Sequence, residues 1–165
     1  MLNARAPHLA LLLALAAIGG AWFSELVLGY RPCMLCLWQR WPYYLAIPLL
    51  ILALALPHGR AKAALFSLLA FGFIGSAVLA GYHAGAEWKF WPGPSGCGGR
   101  LDVAPQSLDA FRQSLSTARV VLCDEAALRI LGLSFAGWNV LASLGIAGLL
   151  GLAAKRAYGS SSVSQ

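Results

Sequence analysis

The chain has 165 residues, of which 59% are hydrophobic and only 11% are charged. Soluble domains carry about 25% charged residues, so this composition excludes an ordinary soluble domain and indicates one integral membrane domain. The net charge of +6 comes from scattered lysines and arginines. Because they form no basic cluster, we expect no nucleic-acid partner.

Four apolar segments, at about residues 9–28, 40–56, 63–83 and 133–154, predict membrane helices within a single domain of residues 1–165. The first segment could instead be a cleaved signal peptide. However, an apolar stretch of about 20 residues matches a membrane span, whereas the apolar core of a signal peptide has only about 7–15 residues. We therefore predict that this helix is retained.

The start of the second helix is left open by the sequence. From Pro42 to Leu56 the apolar run would rise only about 22 Å, which is short for a membrane span. Either Pro42 lies at the start of the helix, or the helix begins near Cys36 and is kinked at Pro42.

Two loops, at about residues 29–39 and 84–132, contain all the cysteines of the chain. Residues 91–99 of the longer loop are rich in glycine and proline, which excludes the interior of a helix or strand. After Pro105, apolar residues recur near helical spacing against polar ones. This pattern predicts a short amphipathic helix that lies on the membrane surface.

The distribution of charge predicts the orientation in the membrane. The N-terminal segment, the turn after the second helix and the C-terminal segment carry basic residues and no acidic ones, namely Arg5, Arg60, Lys62, Lys155 and Arg156. The positive-inside rule therefore places both termini in the cytoplasm. All four cysteines then lie on the outer side, where disulfides persist.

The segment Cys33-Met34-Leu35-Cys36 is the only Cys-x-x-Cys of the chain, and Arg40 follows four residues later. If this stretch is helical, Cys36 and Arg40 share one face. A cation beside a thiol lowers its pKa, and the thiolate is the reactive form. The spacing therefore indicates a redox dithiol at the membrane surface, with an ordinary disulfide in a tight loop as the alternative.

Cys97 and Cys123 form a second candidate pair, and three interpretations of the four cysteines compete. A four-cysteine zinc site is disfavoured because only one pair has the spacing of a metal site, so we expect no metal. Two structural disulfides are the second interpretation, and two disulfides that exchange electrons are the third. The glycines around Cys97 and the position of Arg40 favour exchange, since a structural disulfide gains nothing from either.

The segment Pro32–Arg40 resembles the Pro-Cys-x-Leu-Cys-x-x-x-Arg signature of the DsbB family, bacterial inner-membrane proteins of disulfide bond formation. The second pair at Cys97 and Cys123 and the plan of four helices are similar as well, so the resemblance covers essentially the whole chain. Gln39 departs from the pattern, because relatives often carry glutamate there. The resemblance implies an all-α, integral membrane four-helix bundle with a long periplasmic loop that carries a short amphipathic surface helix.

The resemblance also implies a role for each cysteine. Cys97 should form a mixed disulfide with a reduced thioredoxin-like periplasmic thiol oxidase, a DsbA-like partner. Cys123 should then relay to Cys33, and Cys36 should face a bound lipid quinone, ubiquinone or menaquinone. We expect a monomer in the bacterial inner membrane.

Arg40 and His83 are the residues that the resemblance places at the quinone.

A comparison of energies shows why an electron acceptor is needed. Structural disulfides have reduction potentials below about −300 mV and the DsbA oxidant has one near −120 mV, a difference that corresponds to about 8 kcal/mol. A guanidinium about 4 Å from a thiolate stabilises it by at most about 4 kcal/mol, so Arg40 alone cannot account for this difference. No haem, flavin or nucleotide motif is visible in the sequence.

The sequence therefore predicts a protein-dithiol:quinone oxidoreductase with two redox-active cysteine pairs. Two alternatives stay open at this point. One is a paralogue that serves a dedicated partner, and the other is a small structural membrane protein that is stabilised by two disulfides.

Overall fold

The computed structural model describes residues 2–57, 59–94 and 123–162. The helices in these ranges are α1 (Leu2–Leu26), α2 (Met34–Trp38), α3 (Trp41–Ala55), α4 (Arg60–Glu87) and α5 (Phe135–Ser162). Two short strands, β1 (Arg129–Ile130) and β2 (Leu133–Ser134), form an antiparallel hairpin directly before α5. The amphipathic helix predicted after Pro105 lies outside the described residues.

Three segments of α1, α4 and α5 are long and apolar enough to cross a membrane, namely Arg5–Leu26, Arg60–Glu87 and Phe135–Gly159. The fourth helix, α3, has 15 residues, which correspond to a rise of about 22 Å. The predicted all-α membrane fold is confirmed. The fourth helix is shorter than the other three, and the β-hairpin was not predicted.

The turn between α2 and α3 occupies Gln39 and Arg40. Gln39 caps the C-terminus of α2, Arg40 caps the N-terminus of α3, and Pro42 lies in the first turn of α3. Proline fits there because the backbone N–H groups of a first turn have no partner within the helix. The sequence left open where the second membrane helix begins. In the structure this helix is α3, which begins at Trp41, and α2 is a separate helix before it. Both residues of the turn between them are buried.

The core of the bundle lies where α4 and α5 pack against each other, which is the most extensive helix contact. Ser143 donates to Ser76 at 3.1 Å, and Arg129 contacts the carbonyl of Glu87 at 3.5 Å, so the two helices are antiparallel. Helix α1 packs against both α3 and α5. Alanines at these contacts let the helices approach closely, and the largest fully buried apolar side chains are Phe66, Phe73, Leu50, Ile146 and Leu150.

The chain that leaves α4 folds back onto that helix through Trp91. Its indole stacks on Tyr82, with ring centroids 5.7 Å apart, and its Nε1 donates to the Tyr82 carbonyl at 3.0 Å. The same indole lies over Gly85, where a Cβ would come within 2.1 Å of the ring. The start of the long loop is therefore held against the C-terminal end of α4.

Candidate functional site

Cys33 and Cys36 form a compact dithiol at the start of α2. Cys33 is the N-cap of this helix, and its Sγ accepts a hydrogen bond from the backbone N–H of Cys36 at 3.3 Å. The two sulfurs lie 2.9 Å apart, and both cysteines are free. Cys33 is buried and Cys36 is half-buried. The spacing of the motif therefore places the first sulfur over the free N–H groups of the helix and the second one turn further along.

His83 brings α4 to the dithiol. Its Nε2 lies 3.6 Å from the Sγ of Cys33, and the side chain is 2% exposed. The two sulfurs and a ring nitrogen of His83 all lie within 4.8 Å of one another. Glu87, one helical turn further along α4, places Oε1 3.7 Å from the same Nε2. The structure thus places His83 and a buried carboxylate beside the first cysteine pair.

The thiolate of the reduced pair belongs to Cys33. The hydrogen bond from Cys36, together with those from His83 and from the backbone N–H of Cys36, outweighs burial and lowers the pKa of Cys33 to about 4. The pKa of Cys36 is raised, first because it holds the proton shared with Cys33 and second because of burial. Stabilising the thiolate stabilises the dithiol, and a stabilised dithiol makes its disulfide a stronger oxidant.

Arg40 is bound to α1 rather than to the cysteines. Its guanidinium forms an ion pair with Glu25 and lies 5.5 Å from the centroid of the Trp22 ring. We expected Arg40 to lower the pKa of Cys36 from a shared helical face. This expectation is wrong because α2 ends at Trp38, before Arg40, and the pKa of Cys36 is raised.

A cavity of about 610 Å³ opens beside the dithiol. Its walls come from α1, the segment between Leu28 and Tyr43, the hairpin region and the first turns of α5, and most of the lining side chains are apolar. The predicted site residues Cys36, Arg40 and His83 all line this cavity, and Cys33 does not. The two cysteines of the motif therefore face different neighbours, with Cys36 toward the cavity.

Cys33 faces Cys123. Both side chains are almost fully buried and pack against each other, with Leu35 and Cys36 at the edge of the contact. Cys123 is in a disulfide. Lys89 forms an ion pair with Asp124 at 2.7 Å, which lowers the pKa of that carboxyl. The predicted site residue Cys97 lies outside the described residues.

Comparison with known proteins gives consistent matches. The model of the family described as "Disulfide bond formation protein DsbB" matches residues 3–153. "Disulfide bond formation protein B 1" of Pseudomonas fluorescens is 31% identical over 139 residues, which cover 79% of this chain and 77% of the relative. The protein of the same name from Pseudomonas entomophila is 39% identical over 72 residues, which cover 43% of this chain and 42% of the relative.

An uncharacterized protein of Rickettsia prowazekii is 25% identical over 142 residues, which cover 85% of this chain and 81% of the relative. No solved structure matches the chain significantly. The chain belongs to the DsbB family. The resemblance that the sequence indicated is thereby confirmed, and membership in the DsbB family makes the chain a disulfide-forming membrane oxidoreductase.

Three polar residues of this DsbB-family site were not identified from the sequence. Glu25 binds Arg40, Glu87 faces His83, and Asn139 donates to Gln39 at 2.6 Å. Glu25 interrupts the first apolar run and Asn139 lies within the fourth, and polar residues within membrane helices commonly mark functional sites. That signal was available in the sequence. Glu87 gave none because it was assigned to the long loop, whereas α4 extends as far as Glu87.

Proposed function

We propose that this DsbB-family protein reoxidises a DsbA-like periplasmic thiol oxidase and passes the electrons to ubiquinone or menaquinone in the membrane. The observation that supports this function is the position of the Cys33–Cys36 pair between Cys123 and the cavity. A pair that only stabilised the fold would need neither neighbour. Electrons from the second pair could enter at Cys33 and leave at Cys36.

The exchange steps conserve electrons and protons. A thiolate of the reduced partner attacks Cys97 in a Cys97–Cys123 disulfide, which gives a mixed disulfide and releases the Cys123 thiolate. Cys123 attacks Cys33, the Cys33–Cys36 bond breaks, and Cys36 leaves as the thiolate. The partner's second thiolate then releases Cys97 and completes the partner's disulfide. The two electrons of the partner dithiol now reside on this chain.

The same sequence of steps changes the state of Cys36. In the free dithiol the pKa of Cys36 is raised chiefly by its hydrogen bond with Cys33. Once Cys33 is bonded to Cys123 it no longer shares a proton with Cys36, so this cause of the raised pKa is removed. Cys36 is therefore released as a reactive thiolate at the moment when it faces the cavity.

The cavity fits a lipid quinone. Its volume of about 610 Å³ lies in the usual range of about 300–1,000 Å³ for small-molecule sites, and an apolar wall with a few polar groups is typical of them. Arg40 and His83 would hold the quinone head group, with Cys36 at the same wall. A bound quinone would supply the acceptor for two electrons and two protons.

We also propose that the protein lies in the bacterial inner membrane with both termini in the cytoplasm and the cysteines facing the periplasm. The acid-free termini and the turn at Arg60 support this orientation. A phosphatase that is active only in the periplasm, fused after Gln165, should be inactive. An active fusion there would contradict the orientation.

A quinone-reduction assay tests the function directly. The purified protein should reduce ubiquinone or menaquinone analogues only when a reduced DsbA-like protein is added, and Cys36→Ala should abolish the reaction. A protein with two structural disulfides would show no quinone reduction with any partner. A paralogue with a dedicated partner would reduce quinone with that partner and not with the general oxidase.

A further inference from the structure

A chain of three hydrogen-bonded side chains crosses the bundle and ends at His83. Tyr43 of α3 donates its hydroxyl proton to Oδ1 of Asn139 on α5. Nδ2 of Asn139 donates to Oε1 of Gln39 at 2.6 Å. Nε2 of Gln39 lies 2.8 Å from Nδ1 of His83. Tyr43 and Gln39 are buried, and all three residues line the cavity.

The direction of these bonds determines which ring nitrogen of His83 carries the proton. The carbonyl oxygen of Gln39 accepts from Asn139, so Gln39 presents its NH₂ group to His83. An amide NH₂ only donates, and therefore Nδ1 must accept with its lone pair. A neutral imidazole then carries its proton on Nε2.

The opposite side of the ring favours the same tautomer. Nε2 lies 3.6 Å from the Sγ of Cys33 and 3.7 Å from Oε1 of Glu87, and both atoms accept hydrogen bonds when ionised. Oε2 of Glu87 is buried and has no hydrogen-bond partner among the described residues. With a donor at Nδ1 and acceptors at Nε2, a neutral His83 ring satisfies both sides only when it carries its proton on Nε2.

We propose that Gln39 and Asn139 are positioning residues that hold His83 as the Nε2–H tautomer, so that its N–H is directed at the sulfur of Cys33. The inference rests on the proposed function because it concerns the thiol that receives electrons from Cys123. It adds to that function a reason for an amide, rather than a carboxylate, beside His83. A carboxylate at position 39 would accept a hydrogen bond from Nδ1–H and so favour the other tautomer or the imidazolium.

Nuclear magnetic resonance of the reduced protein labelled with ¹⁵N-histidine tests the tautomer without partner or quinone. Long-range proton–nitrogen correlations should show a protonated Nε2 and an unprotonated Nδ1, in a signal that is lost in His83→Asn. Gln39→Glu should place a proton on Nδ1. Asn139→Ala leaves Gln39 in place but frees the Gln39 side-chain amide to rotate by half a turn. This variant should therefore give a mixture of His83 tautomers.

Tyr44→Phe is the matched control. The Tyr44 hydroxyl accepts from Trp22 Nε1 at 3.0 Å and is not one of the groups that bond Gln39, Asn139 and His83 to one another, so this variant should keep the wild-type histidine signal. A wild-type His83 that is protonated on Nδ1 at neutral pH would overturn the proposal, as would an unchanged signal in both Gln39→Glu and Asn139→Ala.

Alkylation of Cys33 provides a second readout. Among the described residues, the titratable groups that face His83 are Cys33 and Cys36, at the start of α2, and Glu87 of α4, and all are retained in Gln39→Leu. In this variant the pH of half-maximal alkylation at Cys33 should move upward by about one unit, which corresponds to the loss of one hydrogen bond to a charged group. Since neither readout uses quinone, failure of the quinone assay would leave this test intact, and the reverse also holds.

Discussion

The guanidinium of Arg40 and the carboxylate of Glu25 form an ion pair that joins the turn between α2 and α3 to α1. The Arg40 side chain is 10% exposed and the Glu25 side chain 29%. The same guanidinium lies over the Trp22 ring, and Trp22 Nε1 in turn donates to the hydroxyl of Tyr44 at 3.0 Å. Helix α1 forms one wall of the cavity, so the pair holds that wall beside the dithiol.

Arg40→Ala should therefore weaken the docking of α1 as well as the binding of quinone. In a double-mutant cycle with Glu25→Ala, thermal unfolding should show a coupling of about 1–2 kcal/mol, which lies within the range of about 0.5–3 kcal/mol for residues in contact. Arg40→Lys should recover only part of it, because an ammonium keeps the charge but not the flat contact with Trp22.

Kinetics separate the two roles of Arg40. Glu25→Gln keeps the cation and the shape of the cavity, so it should change KM for quinone much less than Arg40→Ala does. Equal increases of KM in the two variants would show that Arg40 acts only by holding α1. An unchanged KM in Arg40→Ala would remove Arg40 from the quinone site.

Gly85→Ala should destabilise the protein, because a Cβ at that position would come within 2.1 Å of the Trp91 indole. Displacing the ring breaks its stacking on Tyr82 and its hydrogen bond to the Tyr82 carbonyl. We expect a loss of about 1–3 kcal/mol in thermal unfolding, as for other overpacked sites.

Gly81→Ala is the matched control, since a Cβ there meets nothing within 4 Å. This variant should raise stability by about 0.5–1 kcal/mol through helix propensity alone. In a Trp91→Ala background, Gly85→Ala should become neutral or stabilising. If it still destabilises there, the contact with Trp91 is not the cause.

The alkylation rate of Cys33 in the reduced protein should stay high from neutral pH down to about pH 5. Its pKa is lowered from 9.0 to about 4, so the reactive thiolate persists above that value and is lost only as the pH falls through it. His83→Ala removes one of the hydrogen bonds that lower this pKa, and the midpoint should move upward. Mass spectrometry of the labelled peptides distinguishes Cys33 from Cys36. A Cys33 that titrates near 9 would contradict the assignment of the thiolate.

The sequence predicted those features of this fold that depend on residues close together in the chain. Apolar runs predicted the three long helices because burial in lipid requires about 20 consecutive apolar residues. Cys33 and Cys36 are also close together in the sequence, and their spacing predicted a dithiol. The contact of Asn139 with Gln39 joins residues 100 positions apart, and no local pattern specifies such a partner. Arg40 shows the same limit, because it meets its partner Glu25 only when α1 packs against the turn between α2 and α3.

Access to the second cysteine pair decides where the soluble partner attacks. Cys123 is 1% exposed and packs on Cys33, so a folded protein cannot approach its sulfur in this arrangement. The glycines around Cys97 in the sequence favour access at that sulfur instead. Because Cys123 already contacts Cys33, its released thiolate would need to move little to attack the first pair.

Cys123→Ala should consequently trap a mixed disulfide between Cys97 and the partner. The partner should carry a single cysteine activated as a mixed disulfide with a small aromatic thiol. Attack by the Cys97 thiolate then releases that thiol and forms the adduct. With neither Cys123 nor a second partner cysteine present, and with Cys33 and Cys36 oxidised to their disulfide before the experiment, no thiol remains that can resolve the adduct. It should persist as a larger band on a non-reducing gel and disappear when Cys97→Ala is added. An adduct that survives Cys97→Ala but is lost in Cys33→Ala would show that the partner reacts with the first pair directly, which would contradict the proposed order of electron flow.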